Sequence, residues 1–305
     1  MVDFGLGLLH GPPKGQNDLF LADLDKTLSQ IKGSFRSIWM TDHFQWEGQP
    51  TFEAWTVMSY LLARYPEFEV GPMVLGQNYR NPALLALMAA TLQALSGGRF
   101  IMGIGAGWKE DEYLAYDYEY PSPRVRLQEL EETLIILKKM WEEPGQVSFE
   151  GAHYSIRDAW CEPKPETKIP ILVGGGGYTT MKHAAKYADM WNLPDKPLGP
   201  YIERLNIMRR HLDEIGRDPA TLRFSWFGRV SLGRTEAEAE ARGKSRIPHW
   251  TQENSFVGAP QRVAELMSEF VEAGVDYFMI DIIDAPDEEI VGMFTEEVIP
   301  AINGA

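Results

Sequence analysis

The sequence predicts an α/β chain folded as one (β/α)8 TIM barrel over residues 1–305, with insertions after its fourth helix and seventh strand. Three observations carry this expectation. Eight short apolar runs alternate with eight segments of helical periodicity. Every pair of runs is separated by enough chain for the crossover that parallel pairing requires. A length of 305 residues is one that α/β barrels use as a single domain.

The first predicted strand, Phe4–Leu9, leads to a helix at Leu19–Ile31, and the second, Ser37–Thr41, to one at Phe52–Ala63. Strand three spans Glu69–Val74, and its helix, Pro82–Leu95, opens on a proline where no helical donor is lost. Phe100–Ile104 is followed by the long helix Arg124–Trp141. Units five and six pair Ile169–Val173 with Thr179–Lys186, and Met190–Leu193 with Gly199–Ile215, which Gly216 stops. Leu222–Val230 precedes Pro260–Ala273, closed by Gly274, and Tyr277–Asp281 precedes Asp287–Ile299. Two intervals are longer than a connection needs. At about 143–168, VSFEGAHYSI reads as a β-hairpin around Glu150-Gly151. At about 233–257, TEAEAEARGKSR reads as a charged surface helix, and the tail from Trp250 to Phe256 is a candidate cap over the barrel mouth.

Net charge is −15, with 29 basic residues dispersed among 44 acidic ones, so a nucleic-acid partner would be repelled over most of the surface. The N-terminus lacks the basic flank and apolar core of a signal peptide, and no run reaches the roughly 20 apolar residues that span a bilayer. The expectation is a cytoplasmic protein with no membrane contact. Cys161, the single cysteine, excludes an internal disulfide and a multi-thiolate metal site. His10, His43 and His183 lack the paired spacing of metal ligands, so no metal is expected.

In such a barrel the chemistry sits where strands end. Strand two ends TDHFQW, placing Asp42 and His43 beside Phe44 and Trp46. A histidine there can move a proton at neutral pH. Position alone equally allows Asp42 to cap the loop and His43 to be a satisfied core residue. Gly71, Pro72 and Gly76 bracket a tight exit from strand three, and Gly103, Gly105 and Gly107 alternate at strand four, where they either wall a flat ligand or mark a bend. Strand five ends in four glycines, Gly174 to Gly177, running into a helix that opens Tyr178-Thr179-Thr180. Free amides at a helix N-terminus form an anion site, so this is the phosphate signal. Together these ends suggest a phosphate-bearing planar cofactor with substrate above it.

SIWMTDHF, EAWTVMSYLLAR, YRNPALLALMAATLQALSGGRFIMGIGAGWKEDEY, RVRLQELEETLIILKKMW, PILVGGGG with AAKYADMWN, and EAGVDYF occur in that order. This chain therefore resembles the luciferase-like monooxygenase superfamily, in the branch of oxidoreductases dependent on coenzyme F420. The resemblance implies that Asp42 contacts the polar edge of the deazaflavin, that His43 is the proton donor or acceptor, and that Trp46 flanks the substrate. It implies a non-prolyl cis peptide at Met73-Val74 against the ring, with Gly76, Gly105, Ala106 and Gly107 lining the cofactor. Gly175, Gly176, Gly177, Tyr178 and Thr179 would hold its phosphate. It also implies a homodimer. Where the sugar-phosphate dehydrogenase branch has a carboxylate after the last glycine of strand four, this chain has Trp108. That departure argues against glucose 6-phosphate, and Trp46, Trp55 and Trp108 suggest an aromatic pocket for a small organic substrate instead.

The expected activity is hydride transfer between F420 and that substrate. The alternatives are an FMN-dependent monooxygenase of the same superfamily, using reduced flavin and oxygen, a barrel hydrolase using Asp42 and Glu110, which would leave the glycine run without a purpose, and a non-catalytic cofactor-binding protein.

Overall fold

The computed structural model describes residues 1–8, 11–12, 15–16, 18–246 and 254–304. The first half of the chain runs β1 (Asp3–Leu8), α1 (Phe20–Ile31), β2 (Ser37–Met40), α2 (Ala54–Arg64), β3 (Glu69–Pro72), β4 (Leu75–Gly76), α3 (Pro82–Ser96), β5 (Met102–Gly105), α4 (Glu110–Ala115) and α5 (Pro123–Glu142). Next come β6 (Val147–Glu150), β7 (Ser155–Ala159), β8 (Ile171–Gly174), α6 (Tyr178–Tyr187), β9 (Met190–Pro194), α7 (Leu198–Glu214) and β10 (Arg223–Leu232). The chain ends with α8 (Glu236–Arg246), β11 (Ser255–Gly258), α9 (Pro260–Ala273), β12 (Tyr277–Ile282), α10 (Glu288–Gly292) and α11 (Ile299–Asn303).

The local chemistry of α3 accounts for its ends. Asn81 accepts the amides of Ala83 and Leu84, Pro82 opens the helix, and Gly97 closes it at φ 67°, a left-handed conformation that costs glycine little.

All barrel pairings are parallel, in the order β3-β2-β1-β12-β10-β9-β8-β5-β4, and β3 runs on through Met73 and Val74 into β4 to join the ends. The expected eight-stranded TIM barrel is therefore present. Its interior is plugged by Trp39, Met73, Ile101, Leu172, Met190, Phe227, Tyr277 and Met279. A larger apolar layer fills the space between strands and helices. Apolar residues thus occur on both faces of each strand, which is why the runs read as continuous rather than alternating.

Four details differ from expectation. Strand three is divided where the Met73-Val74 peptide is cis, the geometry that the resemblance implied. The last helix is not continuous: a π-helical turn, Met293–Val298, separates α10 from α11, beside Pro300, which brings no amide to the ladder. The insertion after β10 contains a strand, β11, which takes up β10 from Arg229 onward, beyond the stretch paired with β9. Finally, the expected cap at Trp250 to Phe256 is corrected at its end. Phe256 lies in β11 and packs on Trp226, Phe270 and Phe278 at ring separations of 4.5, 5.4 and 6.0 Å, in the layer under the helices. Residues 247–253 fall outside the described part. The hairpin around Glu150-Gly151 forms as β6 and β7.

Candidate active site

The loop leaving β2 carries the first two titratable groups in opposite directions. Asp42 is buried, and its carboxylate accepts Nη1 and Nη2 of Arg80 at 2.9 and 3.0 Å and the Gly76 amide at 3.0 Å. Arg80 also reaches Glu53 at 2.7 Å. Asp42 thus ties the end of β2 to the chain entering α3, and the donors holding it come from the protein itself.

His43 is held differently. Its Nδ1 lies 3.0 and 3.1 Å from the two carboxylate oxygens of Glu112, on α4. The same carboxylate accepts the amides of Phe44 at 3.1 Å and Gln45 at 3.2 Å, and Glu112 is only 1% exposed. An ionised carboxylate only accepts hydrogen bonds, so Nδ1 carries the proton and Nε2 is the nitrogen turned away from Glu112. Trp46 stands edge-on to the imidazole at 4.7 Å, and Trp108 at 5.8 Å. Lys109 lies over the Trp46 ring and pairs with Asp111.

Of these, Asp42, His43, Glu112, Trp108 and Lys109 border a cavity of about 360 Å³ at the C-terminal ends of the barrel strands. One wall is built around Val74. A Cβ at Gly105 or Gly174 would come within 2.8 or 2.9 Å of its side chain. The alternating glycines of strand four therefore make room for the chain around Met73-Val74 first, and wall the cavity in consequence. Gly107, at φ 71°, seats the Tyr113 hydroxyl where a Cβ would collide.

Of the residues singled out from sequence, Asp42, His43, Met73, Val74, Gly76, Gly105, Ala106, Gly107, Trp108 and Gly175 line the cavity. Trp46 is not among them; it stands beside His43, in ring contact with it and with Trp108. Gly176, Gly177, Tyr178 and Thr179 do not line it either. They form the turn into α6, whose cap residue Gly177 makes no side-chain cap, so the first-turn amides are left for another acceptor. Tyr178 is exposed and rests on the His211 ring at 4.5 Å. Trp55 is a correction. The phase of α2 turns it outward, to a groove between α2 and α3 beside Leu84 and Leu87, with its ring 5.5 Å from Phe100.

Sequence reasoning missed Glu112 and Asn192. Glu112 stands among three acids in KEDEY, where nothing marks one of them as turned inward. Asn192, in MWNLP, is an amide inside an apolar strand, and that was a legible signal. Burial pushes the Tyr79 phenol, which also lines the cavity, well up. Farther round the mouth, burial raises Asp281 to about 6 against the opposing pull of Arg229, 3.4 Å away. Among the described residues no helix is long and apolar enough to cross a membrane, and no group of three His, Cys, Asp or Glu side chains could hold a metal.

A closed parallel barrel that brings an imidazole–carboxylate pair, a glycine-walled cavity and a helix N-terminus without a side-chain cap to one mouth has the layout of a barrel enzyme's active site. The chain belongs to the luciferase-like monooxygenase family, whose sequence model matches residues 32–252. An F420-dependent glucose-6-phosphate dehydrogenase of Kineococcus radiotolerans is 31% identical over 243 residues, covering 76% of this chain and 71% of the relative. A phthiodiolone/phenolphthiodiolone dimycocerosates ketoreductase of Mycobacterium kansasii is 30% identical, over 82% of this chain and 68% of its own. Among solved structures, an F420-dependent secondary alcohol dehydrogenase in complex with an F420-acetone adduct superposes with a TM-score of 0.84 over 99% of both chains, at 21% identity.

Proposed function

We propose that this chain is an F420-dependent oxidoreductase transferring a hydride between the deazaflavin and a small, uncharged organic substrate. The observation that carries this reading is the His43–Glu112 pair at the edge of a glycine-walled cavity. The names of the Kineococcus relative and of the alcohol dehydrogenase structure support the choice of F420.

The residues fit such a group. Val74 and the glycines facing it give a wall without polar side chains, and the α6 N-terminus offers amides and a favourable dipole to a phosphate. When bound, F420 would supply or accept the hydride. The chain does the rest. His43 Nε2 takes the hydroxyl proton when an alcohol is oxidised and returns it when a carbonyl is reduced, while Glu112 holds the ring in one tautomer and stabilises the imidazolium. Trp46 and Trp108 orient the substrate and exclude water.

The charges bordering the cavity disfavour a phosphorylated substrate. Glu112 is acidic, the charge of Asp42 is matched by Arg80, and the lysine present, Lys109, already pairs with Asp111. Trp108 follows Gly107 where a carboxylate was expected of a sugar-phosphate dehydrogenase. We also assign the apolar α2–α3 groove, where Leu84 and Leu95 are 54% and 81% exposed, to a homodimer contact.

Anaerobic mixing of oxidised F420 with uncharged secondary alcohols, and of reduced F420 with the matching ketones, tests the activity through F420 absorbance. The family's own description favours one competitor, an FMN-dependent monooxygenase. Oxygen uptake with reduced FMN, and no F420 turnover with any substrate, would replace our reading by that one.

A further inference from the structure

Asn192 is 2% exposed, yet it borders the cavity. Its amide orientation is fixed by a short chain of bonds. The Ser225 hydroxyl donates to the Trp191 carbonyl at 2.9 Å, so toward Asn192 its oxygen can only accept. Nδ2 of Asn192 donates to it at 3.1 Å and points to the Met279 sulfur at 3.5 Å. That sets Oδ1 on the other side. Among the described residues Oδ1 has no hydrogen-bond partner, and it is not sealed from the cavity.

The position is informative. In the ring of eight barrel strands β9 stands four places from β2, so Asn192 faces His43 across the mouth. It projects inward one step above Met190 of the barrel plug, next to Gly174 of the glycine wall, and its own carbonyl accepts the Gly175 amide at 3.0 Å. The two carboxylates that border the cavity are already engaged: Asp42 with Arg80 and Gly76, and Glu112 with His43, Phe44 and Gln45.

We propose that Asn192 Oδ1, held in place by Ser225, is the acceptor that recognises the imide N–H at the pyrimidine edge of the cofactor ring, the role that sequence reasoning gave to Asp42. This rests on the cofactor reading above. A neutral amide suits a neutral N–H, because neither carries a charge that must be stripped of water. The imide is common to deazaflavin and flavin rings, so Asn192 selects the ring class rather than F420 over FMN.

Equilibrium titration of F420 and FMN into the wild type, Asn192→Leu and Ser225→Ala tests this without turnover. For whichever cofactor the wild type binds, Asn192→Leu should weaken binding about tenfold or more, and Ser225→Ala severalfold in the same direction. Each variant should melt within a few degrees of the wild type. Unchanged affinity in a folded Asn192→Leu overturns the proposal. If that variant does not fold, unchanged affinity in Ser225→Ala overturns it. A wild type that binds neither cofactor overturns the cofactor reading and this proposal with it, an outcome distinct from tight wild-type binding that survives both substitutions.

Discussion

His43 Nδ1 lies 3.0 Å from the Glu112 carboxylate, and that carboxylate also takes the two amides that follow His43 in the chain. One buried acid therefore fixes both the imidazole and the loop presenting it. Glu112→Gln keeps the volume and one acceptor oxygen but removes the charge opposite the imidazolium. It should lower kcat about 10-fold to 100-fold, and His43→Ala about 10²–10⁴-fold, with cofactor affinity changed only severalfold in both. Steady-state rates beside cofactor titrations check this; loss of binding with the rate preserved would contradict it.

Asp42 behaves as a structural tie. Arg80 is 12% exposed at its side chain and pairs with Asp42 and Glu53. Asp42→Ala leaves a largely buried guanidinium with half its partners, at a cost on the order of 3 kcal/mol. Urea unfolding should record that loss in the absence of any cofactor. A variant as stable as the wild type would return Asp42 to direct cofactor recognition.

Asp281 makes stability pH-dependent. Its carboxyl is raised from an ordinary value near 3.8 to about 6, chiefly by burial. The folded chain therefore holds this proton more tightly than the unfolded chain does. The contribution is fully present below about pH 4 and is lost as pH rises through 6. With a quarter of the side chain still open to water, we expect about 1–2 kcal/mol across that window. Asp281→Asn adds a constant offset at Arg229 and should flatten the slope of unfolding free energy between pH 4.5 and 7. An unaltered slope would refute the assignment.

The α2–α3 groove supplies the dimer test. Leu84→Asp places a charge in the apolar contact and should convert a dimer to a folded monomer in sedimentation. A wild type that sediments as a monomer would remove the interface.

The barrel was legible because βα alternation survives as apolar runs and helical spacing, and residues such as Pro82 and Gly274 mark the helix ends. β11 was not, because SFVG is a four-residue run inside a long insertion. At the site, strand-end position identified His43 and the glycine run. It could not separate Trp108 from Trp55: Trp108 sits on the loop leaving β5 and reaches the mouth, while Trp55 lies on α2, where helical phase turns its indole to the outer groove. Nor could it find Glu112, whose importance arises from a contact 69 residues away in sequence.

The central claim is that this barrel holds a deazaflavin. Fluorescence titration with F420 and with FMN, each oxidised and reduced, tests it most directly. The account predicts saturable F420 binding at micromolar concentration or tighter, with FMN weaker. Micromolar binding of FMN with none of F420 would contradict it.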